Sequence, residues 1–205
     1  MSETAPVEIA AAQWFEEHWD PTRPLGDWWR DLADSGYAFP SWPVGFGGLG
    51  LDQPQARAVI RARRDAGAYG PPNGVATFLV APTLLTAATP EQQRRYLPGI
   101  VDGTEPWCQL FSEPSAGSDM AGLGTRAVRD GDEWRVDGQK VWNSGAHYAR
   151  YGILIARTDP DAPKHRGITY PVSYTHLTLP TTGIRCRSRG GAGTERRGGG
   201  GGGGG

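Results

Sequence analysis

The sequence has few of the features that mark several classes of protein. Its two cysteines, Cys108 and Cys186, have a spacing that matches neither a zinc site nor a disulfide framework. No apolar run approaches the roughly 18 residues of a membrane-spanning helix. The acidic opening MSETAPVEIAAAQW lacks the layout of a signal peptide. We therefore expect a protein of the reducing cytoplasm, without a membrane span or a bound metal.

The sequence also lacks an excess of either charge. Its formal net charge is −1 over 205 residues, which argues against a nucleic-acid-binding protein. Its hydrophobic content of 38%, with eight tryptophans, is that of a folded chain rather than a disordered one. The length suits one or two domains with a sizeable core.

The composition changes near residue 171. The segment VSYTHLTLPTTGIRCRSRGGAGTERRGGGGGGGG holds five arginines and one glutamate, a net charge of +4, which leaves −5 for residues 1–171. SYTHLTLPTT resembles a peptide that arises when sequencing-adapter DNA is translated. We predict that residues 171–205 are a non-native or disordered Arg/Gly-rich tail. The alternatives are an ordinary flexible tail and an RNA-binding Arg/Gly segment.

Helix signals recur through the first half of the chain. Asp52 precedes a helical pattern, and Thr89 with Gln92 matches the capping box. Asp27 is a candidate N-cap for a short tryptophan-bearing helix. VATFLVAPTLLTAAT is apolar nearly all round and predicts a buried helix, which Pro82 divides or kinks.

Strand signals follow. WCQLFS is a short apolar run, and YGILIAR predicts a buried strand. TRAVRD and EWRVD flank Gly131-Asp132, which predicts a hairpin, and EWRVD and KVWNS flank DGQ, which predicts a second one. A helical block before a meander of strands indicates an α+β chain with a helical domain over 1–104 and a β domain over 105–170.

Three patterns carry less weight than their composition suggests. GFGGLG at 45–50 matches the dinucleotide fingerprint, but no strand precedes it and LDQP follows it, so an inter-helix loop is favoured. A triad of Ser118, His147 and Asp119 would combine common residues at arbitrary spacing. His147 and His165 have no partner at metal-ligand spacing.

Two further motifs, FSEPSAGSD at 111–119 and GQKVWNSG at 138–145, are more informative as a pair than either is alone. Each follows a strand signal and offers small or hydroxyl residues, and the second adds Trp142. An indole beside hydroxyl groups suits a flat, heteroatom-rich ring, with the indole on its face and the serines at its edge. The alternative is a turn with capping serines and a core tryptophan.

At these residues the chain resembles the acyl-CoA dehydrogenase family. The matching stretches are EQQRRYLPGIVDGTEPWCQLFSEPSAGSDMAGL and GDEWRVDGQKVWNSGAHYARYGILIARTD, with WPVGFGGLGL between early helices. The resemblance covers residues 1–170. It implies an N-terminal all-helical domain, then an incomplete antiparallel β-barrel-like domain that holds FAD against an acyl-CoA substrate.

The resemblance also implies the roles of individual residues. Ser112 would lie near the flavin edge, Trp142 beside the ring and Ser144 near the hydride-accepting N5. Ser118 would contact cofactor or the CoA thioester substrate. The implied cofactor-binding residues are Gln109, Leu110, Phe111, Ser112, Gly117, Ser118, Trp142, Asn143 and Ser144.

The sequence departs from the family pattern. Ser115 stands where the family usually has glycine, and it would crowd the turn if its φ were positive. Asn143 replaces a more usual Thr or Ile. The family's catalytic base, a carboxylate, belongs to a C-terminal helical domain that this sequence does not include, so we assign no catalytic residue. Glu113 belongs to the motif and is not that base.

The resemblance thus predicts that the intact parent is an FAD-dependent acyl-CoA dehydrogenase that transfers hydride to flavin N5. Electron-transfer flavoprotein and a homo-oligomer are its expected partners, and the present chain is expected to be inactive. An acyl-CoA oxidase or a flavin monooxygenase of the same fold is the first alternative. A short, non-catalytic flavin- or CoA-binding protein is the second.

Overall fold

The computed structural model describes residues 4–131, 133–170, 172–174 and 187–189. The chain divides into two compact units, Met1–Pro106 and Trp107–Gly205. The first unit is helical and the second is built on β-sheets. The helical domain followed by an unclosed sheet domain confirms the predicted α+β class.

The helical unit contains five α-helices and one π-helical turn among its described residues. They are α1 (Ala5–His18), α2 (Leu25–Ser35), α3 (Gln53–Asp65), the π-helical turn Ala76–Val80, α4 (Ala81–Ala87) and α5 (Pro90–Val101).

Two helices begin at the predicted caps. The Asp52 carboxylate accepts from the backbone N–H of Gln55 at 2.8 Å at the start of α3. The Thr89 hydroxyl accepts from the backbone N–H of Gln92 at 3.3 Å at the start of α5. Both glutamine side chains reach back to the N-cap residue, which completes two capping boxes.

The other two helix predictions are only partly right. Helix α2 begins at Leu25, so Asp27 lies in its first turn and is not the N-cap. A carboxylate at that position interacts favourably with the helix dipole. Pro82 does divide the apolar stretch, because the π-helical turn ends just before it. That stretch is not buried all round: Phe78 is 66% exposed, while Val80 and Leu84 are buried.

Aromatic side chains fill the core of the helical unit. Trp28 is buried and its indole N–H donates to the carbonyl of Tyr69 at 2.9 Å, while Trp29 donates to Gly70 at 3.0 Å. GFGGLG forms a tight loop between α2 and α3, as predicted. Gly47 has a φ of +77° and a Cβ there would lie 2.3 Å from Val101.

The second unit has two sheets. The strands are β1 (Trp107–Leu110), β2 (Arg126–Asp130), β3 (Glu133–Asp137), β4 (Tyr151–Leu154), β5 (Ala156–Arg157), β6 (Ile168–Thr169), β7 (Val172–Tyr174) and β8 (Arg187–Arg189). A three-stranded sheet has the order β1-β4-β7, and a five-stranded sheet has the order β6-β5-β2-β3-β8.

The pairing of these strands is mixed rather than purely antiparallel. Strands β2 and β3 form the predicted hairpin, with Asp130 opposite Glu133 and Gly131 at a φ of +63° in the two-residue turn. Strand β1 pairs in parallel with β4, with Leu110 opposite Leu154. The parallel pairing was not predicted, because it joins strands separated by 40 residues of intervening chain.

The second predicted hairpin is wrong. Strand β3 ends at Asp137, and residues 138–150 form a loop with turns instead of a strand through KVWNS. The backbone at Trp142 has a φ of +60°, which no β-strand allows. The short alternation of KVWNS gave no sign of that conformation.

Two stretches of the predicted tail are strands. Strand β7 pairs with β4, and β8 pairs with β3, both antiparallel. Such pairing is made by backbone N–H and C=O groups and therefore depends little on which side chains are present. The remaining positions of 171–205 lie outside the described residues, and the non-native origin of this segment stays a prediction.

Candidate functional site

A backbone hydrogen bond joins the two motifs. Strand β1 ends at Leu110, whose carbonyl accepts from the backbone N–H of Ile155 at 3.3 Å. Two residues later, the carbonyl of Ser112 accepts from the N–H of Val141 at 2.9 Å. Ser112 therefore adjoins the loop that carries Trp142, although 29 positions separate Ser112 from Val141 in the sequence.

A buried ion pair reinforces this junction. Lys140 Nζ lies 2.8 Å from Glu113 Oε1, and the two side chains are 1% and 5% exposed. The same Nζ donates to the carbonyl of Phe111 at 3.0 Å. The Glu113 carboxylate also accepts from the backbone N–H groups of Gly124 at 2.6 Å and Thr125 at 3.0 Å. This carboxylate therefore holds three segments of chain together.

The electrostatics keep this pair charged. Burial alone would raise the pKa of Glu113, but hydrogen bonds from Lys140, Thr125 and Gly124 outweigh it and lower the pKa to about 2. Burial lowers the pKa of Lys140, and the adjacent Glu113 opposes that shift. Because its oxygens are occupied by donors, Glu113 is a poor candidate for removing a proton from a substrate.

The serine-rich turn after Glu113 offers small groups to solvent. The backbones of Glu113 and Ala116 exchange hydrogen bonds of 3.1 and 3.2 Å, and Ala116 is buried. Ser115, Gly117 and Ser118 are exposed, and a Cβ added at Gly117 would have no atom within 4 Å. Ser115 is not among the residues with positive φ, so its side chain causes no backbone strain.

Trp142 has the most unusual environment at the junction. Its side chain is 89% exposed, and it alone has a positive φ among the described residues other than glycine. The left-handed conformation costs an ordinary residue roughly 1–2 kcal/mol. An exposed indole on a strained backbone stabilises nothing by its own packing. Such positions cluster where a ligand is bound.

The residues after Trp142 complete a tight loop. The N–H of Ser144 donates to the carbonyl of Trp142 at 3.0 Å, and Ser144 is exposed. The side-chain Oδ1 of Asn143 is buried and has no hydrogen-bond partner in the described part of the chain. Gly145 has a φ of +78°, and a Cβ there would lie 2.7 Å from the Tyr148 hydroxyl. The positive φ therefore favours glycine at 145, whereas the exposed Tyr148 side chain could move aside.

The structure distributes the other predicted residues between surface and core. Gln109 is exposed on β1, whereas Leu110 and Phe111 are buried. The Leu110 side chain belongs to the core of this unit, so its side chain is not free to face a ligand. Asp119 pairs with Lys164, which gives no support to a triad with His147. Among the described residues, no group of three or more His, Cys, Asp or Glu could hold a metal.

Sequence reasoning missed Lys140. The chain has only two lysines, Lys140 and Lys164, and the structure places each on an acid of the motif FSEPSAGSD, Glu113 and Asp119 respectively. A signal was available, because a lysine between polar and apolar residues of a predicted half-buried strand requires a partner when its side chain faces inward.

The arrangement fits a planar redox ring better than it fits a simple capped turn. The indole of Trp142 is free to cover a ring face, and the neighbouring hydroxyl of Ser144 is free to meet a ring edge. In a simple capped turn the tryptophan would pack into the core, which it does not. The residues present therefore fit the isoalloxazine of a flavin.

Family comparisons match nearly all of the chain. Acyl-CoA dehydrogenase, N-terminal domain, matches residues 3–104, and Acyl-CoA dehydrogenase, middle domain, matches residues 108–191. Among the described residues, no helix combines the length and apolar character needed to cross a bilayer.

Individual relatives agree. The chain is 47% identical over 156 residues to acyl-CoA dehydrogenase FadE34 of Mycobacterium tuberculosis (strain ATCC 25618 / H37Rv), covering 76% of this chain and 21% of the relative. It is 43% identical over 160 residues to acyl-CoA dehydrogenase IpdE1 of the same organism, covering 78% and 40%. The chain therefore spans less than half the length of these curated relatives.

Solved structures agree in fold. The solved structure of the Tcur3481-Tcur3483 steroid ACAD G363A variant matches with a TM-score of 0.63 at 32% identity, covering 85% of this chain and 49% of that one. The ChsE4-ChsE5 complex from Mycobacterium tuberculosis matches with a TM-score of 0.65 at 28% identity, covering 92% and 55%.

Proposed function

Because this chain belongs to the acyl-CoA dehydrogenase family, we propose that it is the FAD-binding part of an enzyme that dehydrogenates an acyl-CoA thioester. The observation that carries the proposal is the junction of Ser112 and Trp142, held by the hydrogen bond from Val141 and by the buried pair of Glu113 and Lys140. We also propose FAD as its cofactor, an acyl-CoA thioester as its substrate, and electron-transfer flavoprotein and a homo-oligomer as the partners of the intact enzyme.

The chain's own residues would bind and orient the cofactor. Trp142 would cover a face of the isoalloxazine, while the hydroxyls of Ser112 and Ser144 would meet its edge. Gly117 and Ser118 leave room for a ligand to approach the backbone closely. When bound, the flavin supplies the capacity to accept a hydride from the acyl chain.

The proton step has no candidate among the described residues of this site. Glu113 is the nearest carboxylate in the motif, and Lys140 together with two backbone N–H groups already occupies it. A base must lie within hydrogen-bond reach of the carbon-bound proton. We therefore propose that dehydrogenation requires a longer protein and that the 205-residue chain turns over acyl-CoA negligibly.

Flavin binding is the first test. Titration of FAD into the purified 205-residue chain should quench flavin fluorescence to a saturable end point. Trp142→Ala should weaken binding by about tenfold, the loss expected from one aromatic stacking partner. Phe78→Ala is the matched control, since Phe78 is an exposed aromatic residue of the helical unit, and it should bind FAD like the parent. Absence of saturable binding would refute the proposal.

Turnover is the second test. The chain saturated with FAD should reduce an artificial electron acceptor no faster with acyl-CoA than without it. Consumption of O₂ in place of the acceptor would indicate an oxidase of the same fold. Robust reduction of the acceptor by the 205-residue chain would contradict the negligible turnover proposed for it.

A further inference from the structure

Helices α1 and α3 pack against each other and leave a groove on the surface of the helical unit. The groove has a volume of about 420 Å³. Its floor is apolar, with Phe15 and Ala62 buried and Trp19 half-buried. Glu16 and Asp65 are exposed on its rim, which we call the acidic rim. The residues of the proposed flavin site belong to the other unit, and none of them lines this groove.

A second charged surface, the basic stripe, lies on α3. Arg57, Arg61 and Arg64 recur at spacings of four and three residues, and Ile60 precedes Arg61 on the same face of the helix. All four side chains are exposed. The buried residues of α3 occupy its other faces: Ala56, Ala58, Val59 and Ala62. The stripe is therefore a solvent-facing surface of three cations and one apolar side chain.

Most of these charges have no partner within the chain. Arg61 Nη2 lies 3.2 Å from Glu8 Oε1, and this ion pair bridges α3 and α1 across the groove. Within the described part of the chain, no other charged side chain of the stripe or the rim makes an ion pair or a hydrogen bond: Arg57, Arg64, Glu16 and Asp65. Two cations and two carboxylates are thus available to another molecule.

Exposed isoleucines accompany the charges. Ile9 of α1 is 59% exposed, and Ile60 of the basic stripe is 36% exposed. Ile9 precedes Glu16 by seven residues, so the two lie on the same side of α1. Isoleucine is usually buried, and stable interfaces combine apolar area with charge because exposed ion pairs alone are weak. This face of α1 and α3 offers both contributions.

We propose that this face of α1 and α3 is an interface between two copies of the chain related by a two-fold axis. An acidic rim beside a basic stripe is self-complementary, because a two-fold rotation places the stripe of each copy opposite the rim of the other. Ile60 of each copy would then face the apolar floor of its partner's groove. A partner with charge of one sign would leave either the rim or the stripe unmatched. The interface does not depend on flavin binding or on the proposed function.

The oligomeric state of the full 205-residue chain tests this interface. Analytical ultracentrifugation over a range of concentrations should show a monomer–dimer equilibrium that weakens as salt is added, because salt screens exposed charges. Arg57→Glu/Arg64→Glu should weaken dimerisation at least about tenfold, and so should Glu16→Arg/Asp65→Arg. Each double variant places like charges opposite each other in its own dimer.

A mixture of the two charge-reversed variants is the decisive measurement. Their altered surfaces complement each other, so an equimolar mixture should form a mixed dimer with about the affinity of the parent. Recovery in the mixture also shows that both variants are folded. Glu17→Arg is the matched control for Glu16→Arg, because Glu17 is exposed on α1 but does not line the groove. It should change dimerisation by less than about twofold.

Three results would overturn the interface. The first is a parent chain that stays monomeric at low salt. The second is a dimer that neither charge reversal weakens, and the third is loss of the dimer in both variants without recovery in their mixture. A monomeric parent that instead binds an arginine-rich helical peptide through Glu16 and Asp65 would assign the groove to a cationic partner rather than to a second copy.

Discussion

Lys140 Nζ lies 2.8 Å from Glu113 Oε1, and this contact connects the two sequence motifs through the interior of the β unit. Two hydrogen bonds beside this pair also join the motifs. The carbonyl of Ser112 accepts from the backbone N–H of Val141, and the carbonyl of Phe111 accepts from Lys140 Nζ. A carboxylate that receives three hydrogen bonds and a lysine that gives two form a rigid support. The exposed groups of the site, Ser144 and Trp142, are carried on that support.

Breaking this pair from one side should be costly. Lys140→Met keeps the length of the side chain but leaves the Glu113 carboxylate buried without its cation. Loss of one partner of a buried ion pair destabilises a protein by about 3–5 kcal/mol. Urea unfolding followed by circular dichroism should show that loss.

Lys164→Met is the matched control for Lys140→Met. It removes the chain's other lysine, whose pair with Asp119 is exposed, and should change stability by less than about 1 kcal/mol. Equal effects of the two substitutions would show that burial of the Lys140 pair has no energetic consequence.

The low pKa of Glu113 predicts acid sensitivity. The carboxyl has an ordinary pKa of 4.5 and a folded-state pKa of about 2, so it binds its proton more readily in the unfolded chain. Its contribution to stability is complete above the unfolded value and is lost as the pH falls from 4.5 to about 2. The difference corresponds to about 3 kcal/mol. Glu113→Gln should flatten the dependence of unfolding free energy on pH in that window.

An acid dependence that is unchanged in Glu113→Gln would assign the effect to other carboxylates. Asp119→Asn provides the comparison, because Asp119 belongs to the same motif but is exposed. Its hydrogen bond from Lys164 also lowers its pKa. Solvent screening leaves such an exposed pair with a small energetic effect, so this variant should keep most of the parent's acid dependence.

The backbone at Trp142 predicts a conflict between stability and binding. Its φ of +60° suits glycine far better than any other residue. Trp142→Gly should therefore be more stable than Trp142→Ala by about 1 kcal/mol, because only glycine adopts the left-handed conformation without strain. Both variants should lose FAD affinity, since both remove the indole.

Thermal and urea unfolding measure the stability of the two Trp142 variants. FAD titrations measure their affinity separately. Equal stability of Trp142→Gly and Trp142→Ala would contradict a left-handed backbone at this position. Unchanged FAD affinity in both would remove Trp142 from the binding site and leave its exposure unexplained.

Local signals in the sequence predicted much of the fold, because they act over a few residues. The capping boxes at Asp52 and Thr89 depend on a partner three residues away, and the hairpin at Gly131 depends on a two-residue turn. The parallel pairing of Leu110 with Leu154 and the contact of Glu113 with Lys140 depend on residues far apart in the chain. No local pattern contains that information.

The loop around Trp142 shows why local patterns also mislead. KVWNS alternates like a strand, yet the hydrogen bond from Val141 to Ser112 and the close approach at Gly138 direct the chain into a loop. The two motifs do meet, through the hydrogen bond from Val141 to Ser112, and Trp142 is exposed beside it, while the binding roles of these residues stay a prediction. The motifs could not reveal that the Leu110 side chain lies in the core.

The close approach at Gly138 gives the last prediction. A Cβ added at Gly138 would lie 2.3 Å from Oγ1 and 2.7 Å from Cα of Thr125, whose N–H donates to Glu113. The backbone of Thr125 cannot move aside without disturbing that hydrogen bond. Gly138→Ala should therefore destabilise the β unit by about 1–3 kcal/mol, the usual cost of overpacking. Gly117→Ala, in open space without a positive φ, should stay within about 0.5 kcal/mol of the parent. Equal unfolding midpoints in urea for the two variants would show that Thr125 and its bond to Glu113 yield easily, and that the support beneath Trp142 is not rigid.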